Sequence, residues 1–202
     1  MTFLPAPEIA STAPNIFVVG GYLTLQDKAQ IAGGISVTQT GAAPRAVTLK
    51  DSVVVDKNLT SKGKQVSTTD ISFSGGYYLV VENLKADARA DFTSTFSYSY
   101  KEKDEAGEEI TVTKDSFQKD EATGGHIVCA NIGTSDVSGL GYENDSYYLM
   151  TDGTKLMIVP KADLVNAVSV NGSKMFYNLA TAVAKAGTAG MIQLQADCTA
   201  NN

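Results

Sequence analysis

The chain has 202 residues, of which 19% are charged, and it carries a net charge of −6 with a pI near 4.7. A surface that follows nucleic-acid phosphates needs clustered lysine and arginine, whereas the 16 basic residues here are scattered, so a nucleic-acid partner is excluded. No apolar run approaches the roughly 18 residues of a membrane span, and the abundance of Thr, Val and Tyr favours β structure.

The opening residues, 1–14, are rich in Pro, Ala and Thr and predict an extended linker. They contain no basic region followed by an apolar core, so a signal peptide is not present in this stretch. Three short apolar runs follow, Ile16–Val19, Tyr22–Leu25 and Ile35–Thr38, separated by glycine pairs and by an Asp-Lys corner. Runs this short, broken by sharp corners, are typical of a solenoid in which each coil stacks on its neighbour.

Further runs of the same kind continue the pattern to residue 81: Val47–Leu49, Val53–Val55, Ile71–Phe73 and Tyr77–Val81. Apolar and hydroxyl-bearing residues alternate in these runs, which indicates strands buried on one face. We therefore expect residues 15–81 to form stacked coils whose strands pair in parallel. Antiparallel hairpins in this region would contradict that expectation.

Residues 82–160 predict an antiparallel β cap over the end of the coils. A long alternating stretch, Phe92–Tyr100, predicts one extended strand with Ile110–Thr113 as its hairpin partner. Its aromatic residues form a stripe that indicates a buried face, with sugar stacking as the alternative. Ser146–Met150 and Lys155–Val159, joined by a Thr-Asp-Gly-Thr turn, predict a second hairpin.

Residues 161–202 predict a small ββαβ unit. Val168–Val170 and Lys174–Phe176 flank an Asn-Gly turn, Asn178 is a helix N-cap, and Met191–Leu194 predicts the last strand. Since a short helix is marginal alone, Leu179 and Val183 should bury against the strands. We expect a separate unit, joined by a polar linker and capable of weak self-association.

The best candidate for carbohydrate chemistry is a Gly-rich loop with three carboxylates and nearby tyrosines. Paired carboxylates can perform glycosidase-like acid and base catalysis, and tyrosine rings can stack on sugars. Solvated loop charges are the competing interpretation. The candidate carbohydrate-binding residues are Asp136, Tyr142, Glu143, Asp145 and Tyr147.

Other reactive side chains favour structural roles. The charged residues of the coil region stand at corners beside glycine or serine, where Asp forms turns; they are Asp27, Lys28, Arg45, Lys50 and Asp51. His126 is the single histidine, and no nucleophile accompanies it in a recognisable motif. Cys129 and Cys198 fit no metal-ligand spacing and could pair in a disulfide or remain buried thiols. We predict no catalytic residue, no metal site and no cofactor.

Two segments carry a resemblance to a known family. The segment NGSKMFYNLATAVAKAGTAGMIQLQADCT resembles the unit that opens the pectin-lyase-like β-helix modules of large surface proteins of Gram-positive gut bacteria. VTLKDSVVVDKN and DISFSGGYYLVVENL are similar to the final coil and capping strands of such a module. The resemblance implies a right-handed parallel β-helix, with the tail of one module followed by the head of the next.

These observations together predict a mainly β protein: a short right-handed parallel β-helix, antiparallel capping hairpins and a C-terminal ββαβ unit. The expected role is a non-enzymatic structural or adhesion module of an exported bacterial surface protein, located outside the cell or on its surface. Its expected partner is a carbohydrate or a host surface ligand. The alternative is a carbohydrate-binding or carbohydrate-processing β-helix domain.

Overall fold

The computed structural model describes residues 16–31, 34–56, 71–142, 144–163, 167–171 and 174–195. The predicted linker, residues 1–14, lies outside these ranges. Within them the protein is mainly β, with one α-helix, α1 (Leu179–Ala186), and a short 3-10 turn at Lys161–Asp163. In chain order the strands are β1 (Ile16–Val19), β2 (Leu23–Leu25), β3 (Gln30–Ile31), β4 (Ile35–Thr38), β5 (Arg45–Lys50), β6 (Val54–Val55), β7 (Ile71–Ser74), β8 (Tyr77–Glu82), β9 (Arg89–Ser94), β10 (Ser97–Lys103), β11 (Glu109–Asp115), β12 (Gln118–Lys119), β13 (His126–Cys129), β14 (Leu140–Tyr142), β15 (Tyr147–Thr151), β16 (Leu156–Pro160), β17 (Val168–Val170), β18 (Lys174–Phe176) and β19 (Ile192–Leu194).

The first nine strands fall into three successive sets of three, called triplets below. Each strand pairs in parallel with the strand three places later in the chain: β1 with β4 and β4 with β7, β2 with β5 and β5 with β8, and β3 with β6 and β6 with β9. The expected parallel pairing of this region is therefore confirmed, and neither Ile16–Val19 nor Leu23–Leu25 forms an antiparallel hairpin.

The main core lies between these parallel strands. Alternate residues of β4 point inward, so Ile35 and Val37 are fully buried while Ser36 and Thr38 are half-buried on the other face. The register places Ile71 beside Ile35 and Phe73 beside Val37. Similar apolar side chains thus stack on one another from triplet to triplet, which removes them from water without changing the strand geometry.

Parallel pairing extends beyond residue 82, into the region expected to be an antiparallel cap. The first residues of β9 pair with β6, and Phe92–Ser94 of the same strand pair with β7. Strand β14 also pairs in parallel with β9. The prediction of one long strand over Phe92–Tyr100 was wrong, because the chain leaves β9 after Ser94 and starts a new strand at Ser97.

Strands β10 and β11 form a separate two-stranded antiparallel hairpin, as predicted. Tyr98 and Tyr100 point toward the protein body and are each only 8% exposed, which confirms the buried aromatic face at this end. The Tyr98 hydroxyl donates to the carbonyl of Ala42 at 3.2 Å. Beyond Tyr100 both strands are mostly exposed, so the outer half of the hairpin projects into solvent.

A seven-stranded sheet with the order β12-β13-β16-β15-β18-β17-β19 contains the later strands other than β14. Its centre is the predicted hairpin of β15 and β16, which pair in antiparallel register from Tyr147 with Pro160 to Thr151 with Leu156. The turn is stabilised by Asp152, whose Oδ1 accepts from the amides of Thr154 and Lys155 at 2.8 and 3.0 Å.

The ββαβ unit is present in the expected order, and it contacts the preceding hairpin directly. Strand β18 pairs in parallel with β15 through Thr151 and Phe176, so the unit continues the seven-stranded sheet. Ala167 is fully buried in a small apolar cluster with Met150 and Met157 of the preceding hairpin. Shared packing of this kind ties the two parts into one core.

Helix α1 begins as predicted, with the Asn178 side chain accepting from the Thr181 amide at 2.7 Å, and ends at Gly187. The residues that face the sheet differ from the prediction. Leu179 and Val183 are 41% and 52% exposed, whereas Ala182 is fully buried against Val168 and Val170. The small side chain at 182 lets the helix backbone approach the strands closely.

Candidate functional site

The structure describes four of the five residues predicted for the carbohydrate site. Asp136 lies half-buried in the loop before β14, where its amide donates to the carbonyl of Leu84 and its Oδ1 accepts from the Ser138 amide at 2.9 Å. Asp145 is exposed in the turn before β15, and Glu143 lies outside the described residues. The paired-carboxylate arrangement expected from the sequence therefore remains a prediction.

Tyr142 and Tyr147 pack against the main core rather than forming an open platform for sugars. The Tyr142 ring meets Phe92 edge-on, with centroids 5.3 Å apart, and burial raises the pKa of its hydroxyl. The Tyr147 ring lies 4.8 Å from that of Phe96. Both rings are half-buried: Tyr142 packs within the parallel sheet, and Tyr147 packs strand β15 against Phe96.

His126 belongs to the same aromatic group. Its ring stacks on Phe96 with centroids 4.4 Å apart and meets the edge of Phe117 at 6.4 Å. Burial lowers the pKa of the imidazole, and the nearby charge of Lys119 lowers it further, while Asp115 acts in the opposite direction. A neutral ring between aromatic neighbours agrees with the structural role expected from the sequence.

A cleft of about 360 Å³ lies between the 132–140 loop, the β15–β16 hairpin and the C-terminal unit. Asp136 lines it, but Tyr142, Asp145 and Tyr147 do not. Its walls combine apolar and polar residues in similar numbers, and all three parts contribute to them. Representative lining residues are Ile132, Leu149 and Phe176 on the apolar side and Thr134, Asp136 and Lys185 on the polar side.

Two hydroxyl groups of the cleft already have structural partners. The Ser135 hydroxyl accepts from the Leu84 amide at 3.1 Å, and the Thr181 hydroxyl donates to the carbonyl of Asp152 at 3.1 Å. Among the described residues that line the cleft, Asp136 is the one carboxylate and Lys185 the one ammonium group. The cleft can thus hold a polar ligand against an apolar wall, whereas hydrolysis by two carboxylates would need a second acid.

Sequence reasoning missed a charged cluster on the seven-stranded sheet. The Lys155 ammonium group binds the carboxylate of Asp120 and lies 3.6 Å from that of Asp152. Asp120 also accepts from the Thr123 amide and hydroxyl at 3.0 and 2.8 Å. The hydrogen bond from Lys155 is the main reason why the pKa of Asp120 lies below its usual value. Thirty-five residues separate the two partners, so no local pattern could have indicated the pair.

The charged residues of the coil region occupy structural positions. Asp27 and Asp51 adopt positive φ angles of 62° and 55°, which is tolerated by Asp in tight turns. Lys50 pairs with Glu82 on the neighbouring strand, and the Arg45 guanidinium lies 5.1 Å from the centroid of the Tyr22 ring. Asp27 and Asp51 therefore stand in turns as predicted, whereas Arg45 and Lys50 are strand residues at the two ends of β5 and not corner residues.

Cys129 is buried, and its thiol donates to the carbonyl of Asn131 at 3.4 Å; burial raises the pKa of this thiol. Cys198 lies outside the described residues, so the predicted alternatives for the two cysteines stay open. Within the described ranges, no three or more His, Cys, Asp or Glu residues are placed to hold a metal ion. No helix in the described part of the chain combines the length and apolar content needed to cross a membrane.

Comparisons of the chain with protein-family models, with curated proteins and with solved structures gave no match.

Proposed function

We propose that this chain is a non-enzymatic structural or adhesion module of an exported bacterial surface protein, built on a short right-handed parallel β-helix. The observation that carries the proposal is the in-register parallel pairing of three successive strand triplets. A stack of this kind is stabilised by contacts between neighbouring coils and presents long, regular outer faces. Such a shape suits a stalk or a display surface.

The path of β9 supports the β-helix in particular. Ala90 pairs with Val55 of β6, the third strand of its triplet. Two residues later, Phe92 pairs with Ile71 of β7, the first strand of its triplet. In a β-helix this is the step at which the chain would pass from the third strand of one coil to the first strand of the next. Stacking continues across this step, because the inward row runs from Ile16 through Ile35 and Ile71 to Phe92.

An engineered disulfide tests the coil arrangement. Ser36 and Ser72 are direct partners on adjacent parallel strands, about 4.8 Å apart, so cysteines at these positions should oxidise without loss of the melting temperature. The matched control places cysteines at Ser36 and Thr93, two strands apart and beyond the roughly 7 Å limit for a disulfide. Efficient crosslinking of the control pair would contradict the arrangement.

Surface display is tested on cells of the organism that carries the gene. Antibodies raised against residues 16–195 should label intact cells, and brief protease treatment of intact cells should remove the label. The control is an antibody against a cytosolic enzyme, which should label only broken cells. Labelling of this chain confined to broken cells would contradict the proposed location.

The second candidate function is carbohydrate binding or processing, favoured by the cleft beside Asp136. We propose Asp136 as the polar contact of this alternative, with Tyr142, Glu143, Asp145 and Tyr147 as the further residues singled out from the sequence. Turnover of a plant or mucin polysaccharide by pure protein, lost in Asp136→Ala and retained in the control variant Glu105→Ala, an exposed residue of the turn between β10 and β11, would favour this alternative over the structural module.

A further inference from the structure

Strand β19 forms one edge of the seven-stranded sheet. It pairs with β17 on one side, and within the described ranges no strand pairs with its other side. Edge strands commonly carry charges or proline, which hinder pairing with another chain. The sequence from Met191 to Gln195 is MIQLQ and contains neither. This edge can therefore accept a further strand.

The bonds between β19 and β17 show which backbone groups of β19 point to the open edge. The Met191 carbonyl and the Gln195 amide each form a 2.9 Å hydrogen bond to a residue that flanks β17. Because an antiparallel strand directs alternate residues to opposite sides, Ile192 and Leu194 direct their amides and carbonyls to the open edge. An added strand can thus form four backbone hydrogen bonds with these two residues.

One flank of helix α1 faces the same edge. The Thr181 hydroxyl binds the Asp152 carbonyl at 3.1 Å, so the flank that carries Thr181 lies toward the β15–β16 turn. Val183 lies about 100° around the helix axis from the buried Ala182, in the direction opposite to Thr181. The strand order β15-β18-β17-β19 places the open edge on that opposite side. Leu179, one turn before Val183, shares this flank.

The helix flank and the edge strand together form an exposed apolar surface. Leu194 pairs with Val168, which packs against α1, so Leu194 lies on the face of the sheet that carries the helix. Leu179, Val183 and Leu194 are 41%, 52% and 52% exposed. Lys185, the one charged residue of α1, lines the cleft on the opposite flank. We call Leu179, Val183 and the open edge of β19 the edge surface.

The edge surface is self-complementary. In a two-fold arrangement about Gln193, Ile192 of one copy lies opposite Leu194 of the other, and each such pair can exchange two backbone hydrogen bonds. Both helices then lie on the same face of the joined sheet, with their apolar flanks facing each other. The chain has a net charge of −6, but the edge surface itself is uncharged, so the contact brings no like charges together. We propose that the chain forms a two-fold dimer through the edge surface, with the two β19 strands paired in antiparallel.

The size of the edge surface sets the strength of the dimer. A standard specific interface buries about 800 Å² on each partner. The edge surface consists of a strand of three residues and one flank of a helix of eight residues, which is smaller. We therefore expect a concentration-dependent dimer with a dissociation constant in the micromolar range. The inference is independent of the proposed surface function.

Sedimentation equilibrium of the pure 202-residue chain over a concentration series tests the dimer. The mean mass should rise from 21.3 kDa toward twice that value as the concentration increases. Leu194→Lys and Val183→Lys put like charges from the two copies close together, so the dissociation constant should rise at least about tenfold in each variant. Ile110→Lys is the matched control, because Ile110 is an exposed apolar residue of β11, outside the edge surface. It should dimerise as the wild type does.

A crosslink tests the antiparallel register. The two-fold axis places the Gln193 residues of the two copies opposite each other, with Cα atoms about 4.5 Å apart, which a disulfide can span. In a Cys198→Ser background, Gln193→Cys should therefore give a disulfide-linked dimer under mild oxidation. The control is Gln195→Cys, which is also exposed on the same strand edge. Its two copies would lie roughly 14 Å apart and should stay unlinked.

A chain that remains monomeric throughout the concentration series would overturn the inference. A dimer that persists unchanged in both lysine variants, or that crosslinks equally well through Gln195→Cys, would also overturn it. All variants should retain the wild-type circular dichroism spectrum, and if one lysine variant fails to fold, the other decides the result. A monomeric chain that is displayed on intact cells would leave the surface-module proposal standing.

Discussion

The ammonium group of Lys155 binds the carboxylate of Asp120 and thereby joins the turn after β12 to the β15–β16 hairpin. The Asp120 side chain is 7% exposed and that of Lys155 is 26% exposed, so water screens this pair less than a surface pair. Thr123 completes the carboxylate's hydrogen bonds through its amide and hydroxyl. The pair is a charged and largely buried contact between these two segments.

Replacing Asp120 with Asn should lower the free energy of unfolding by about 2 kcal/mol, since it removes a charged hydrogen bond and leaves Lys155 without its main partner. Urea titration followed by circular dichroism measures this change. The control is Glu109→Gln, which breaks the exposed pair with Lys101 at 3.5 Å and should cost less than about 0.5 kcal/mol. Equal losses in both variants would show that burial does not strengthen the Asp120 pair.

The same pair predicts how stability depends on pH. The pKa of Asp120 is lower in the folded state than its usual value of 3.8, so its contribution is complete above that value and is lost as the pH falls through the folded pKa. The pKa of Lys155 is raised above 10.5, mainly by Asp120, so that contribution is lost as the pH rises through the raised value. Melting curves of wild type and Asp120→Asn should converge at both extremes. A constant difference across the whole pH range would contradict the ion pair.

His126 predicts a second pH effect in a different range. Its pKa is lowered by burial, so the unfolded state binds a proton more readily, and stability should fall as the pH drops below about 6.5. Because His126 is the single histidine, His126→Gln should remove this dependence between about pH 7 and pH 5. Differential scanning calorimetry of both proteins measures it. An unchanged slope in His126→Gln would assign the effect to other groups.

Gly76 should not tolerate a side chain. A Cβ atom at this position would lie 2.7 Å from the Tyr98 ring, which is buried at the base of the β10–β11 hairpin. Gly76→Ala should therefore cost about 1–3 kcal/mol, measured by urea unfolding. The control is Gly41→Ala, where the nearest atom is the flexible end of Gln39 at 3.5 Å and the cost should stay within about 0.5 kcal/mol. If Gly76→Ala leaves the free energy of unfolding unchanged, the hairpin can shift to make room for the added methyl group.

Removing the C-terminal unit should destabilise the rest of the protein. A chain that ends at Pro160 loses Ala167 and exposes Met150 and Met157, so its melting temperature should fall by at least about 5 °C. In Met191→Ala, which alters a residue that is 67% exposed in the same unit, the melting temperature should stay within about 1 °C. If the truncated chain melts like the full one, the unit is independent after all.

The local features of the fold could be read from the sequence because they depend on neighbouring residues. The alternation in Ile35–Thr38 gave the buried face of β4, and the Asn-capped helix start depends on a contact between Asn178 and Thr181. The hairpin of β15 and β16 follows from a turn of four residues. In each case the physical cause acts within a few positions of the chain.

The candidate site was less predictable because it depends on distant packing. Sequence proximity grouped Asp136 with Tyr142 and Tyr147, but the fold turns the two rings into the core and leaves Asp136 on the cleft. The outward row of β1, β4, β7 and β9 shows the opposite case, since the register aligns residues as far apart as Phe17 and Thr93. Alternation predicted which residues point outward, but only the register set them in line.

The sequence by itself determined the β class, the parallel character of the first strands, the two hairpins and the position of α1. The tertiary structure alone decided which face of α1 is buried. Leu179 and Ala182 are both apolar, so the sequence favours neither. The helix packs closely on Val168 and Val170, and the smaller residue, Ala182, is the one buried there. It also decided that the C-terminal unit shares the sheet of β15, and that Lys155 meets Asp120. Those outcomes depend on how segments that are far apart in the chain fit together. The volumes and charges of their side chains meet only after folding.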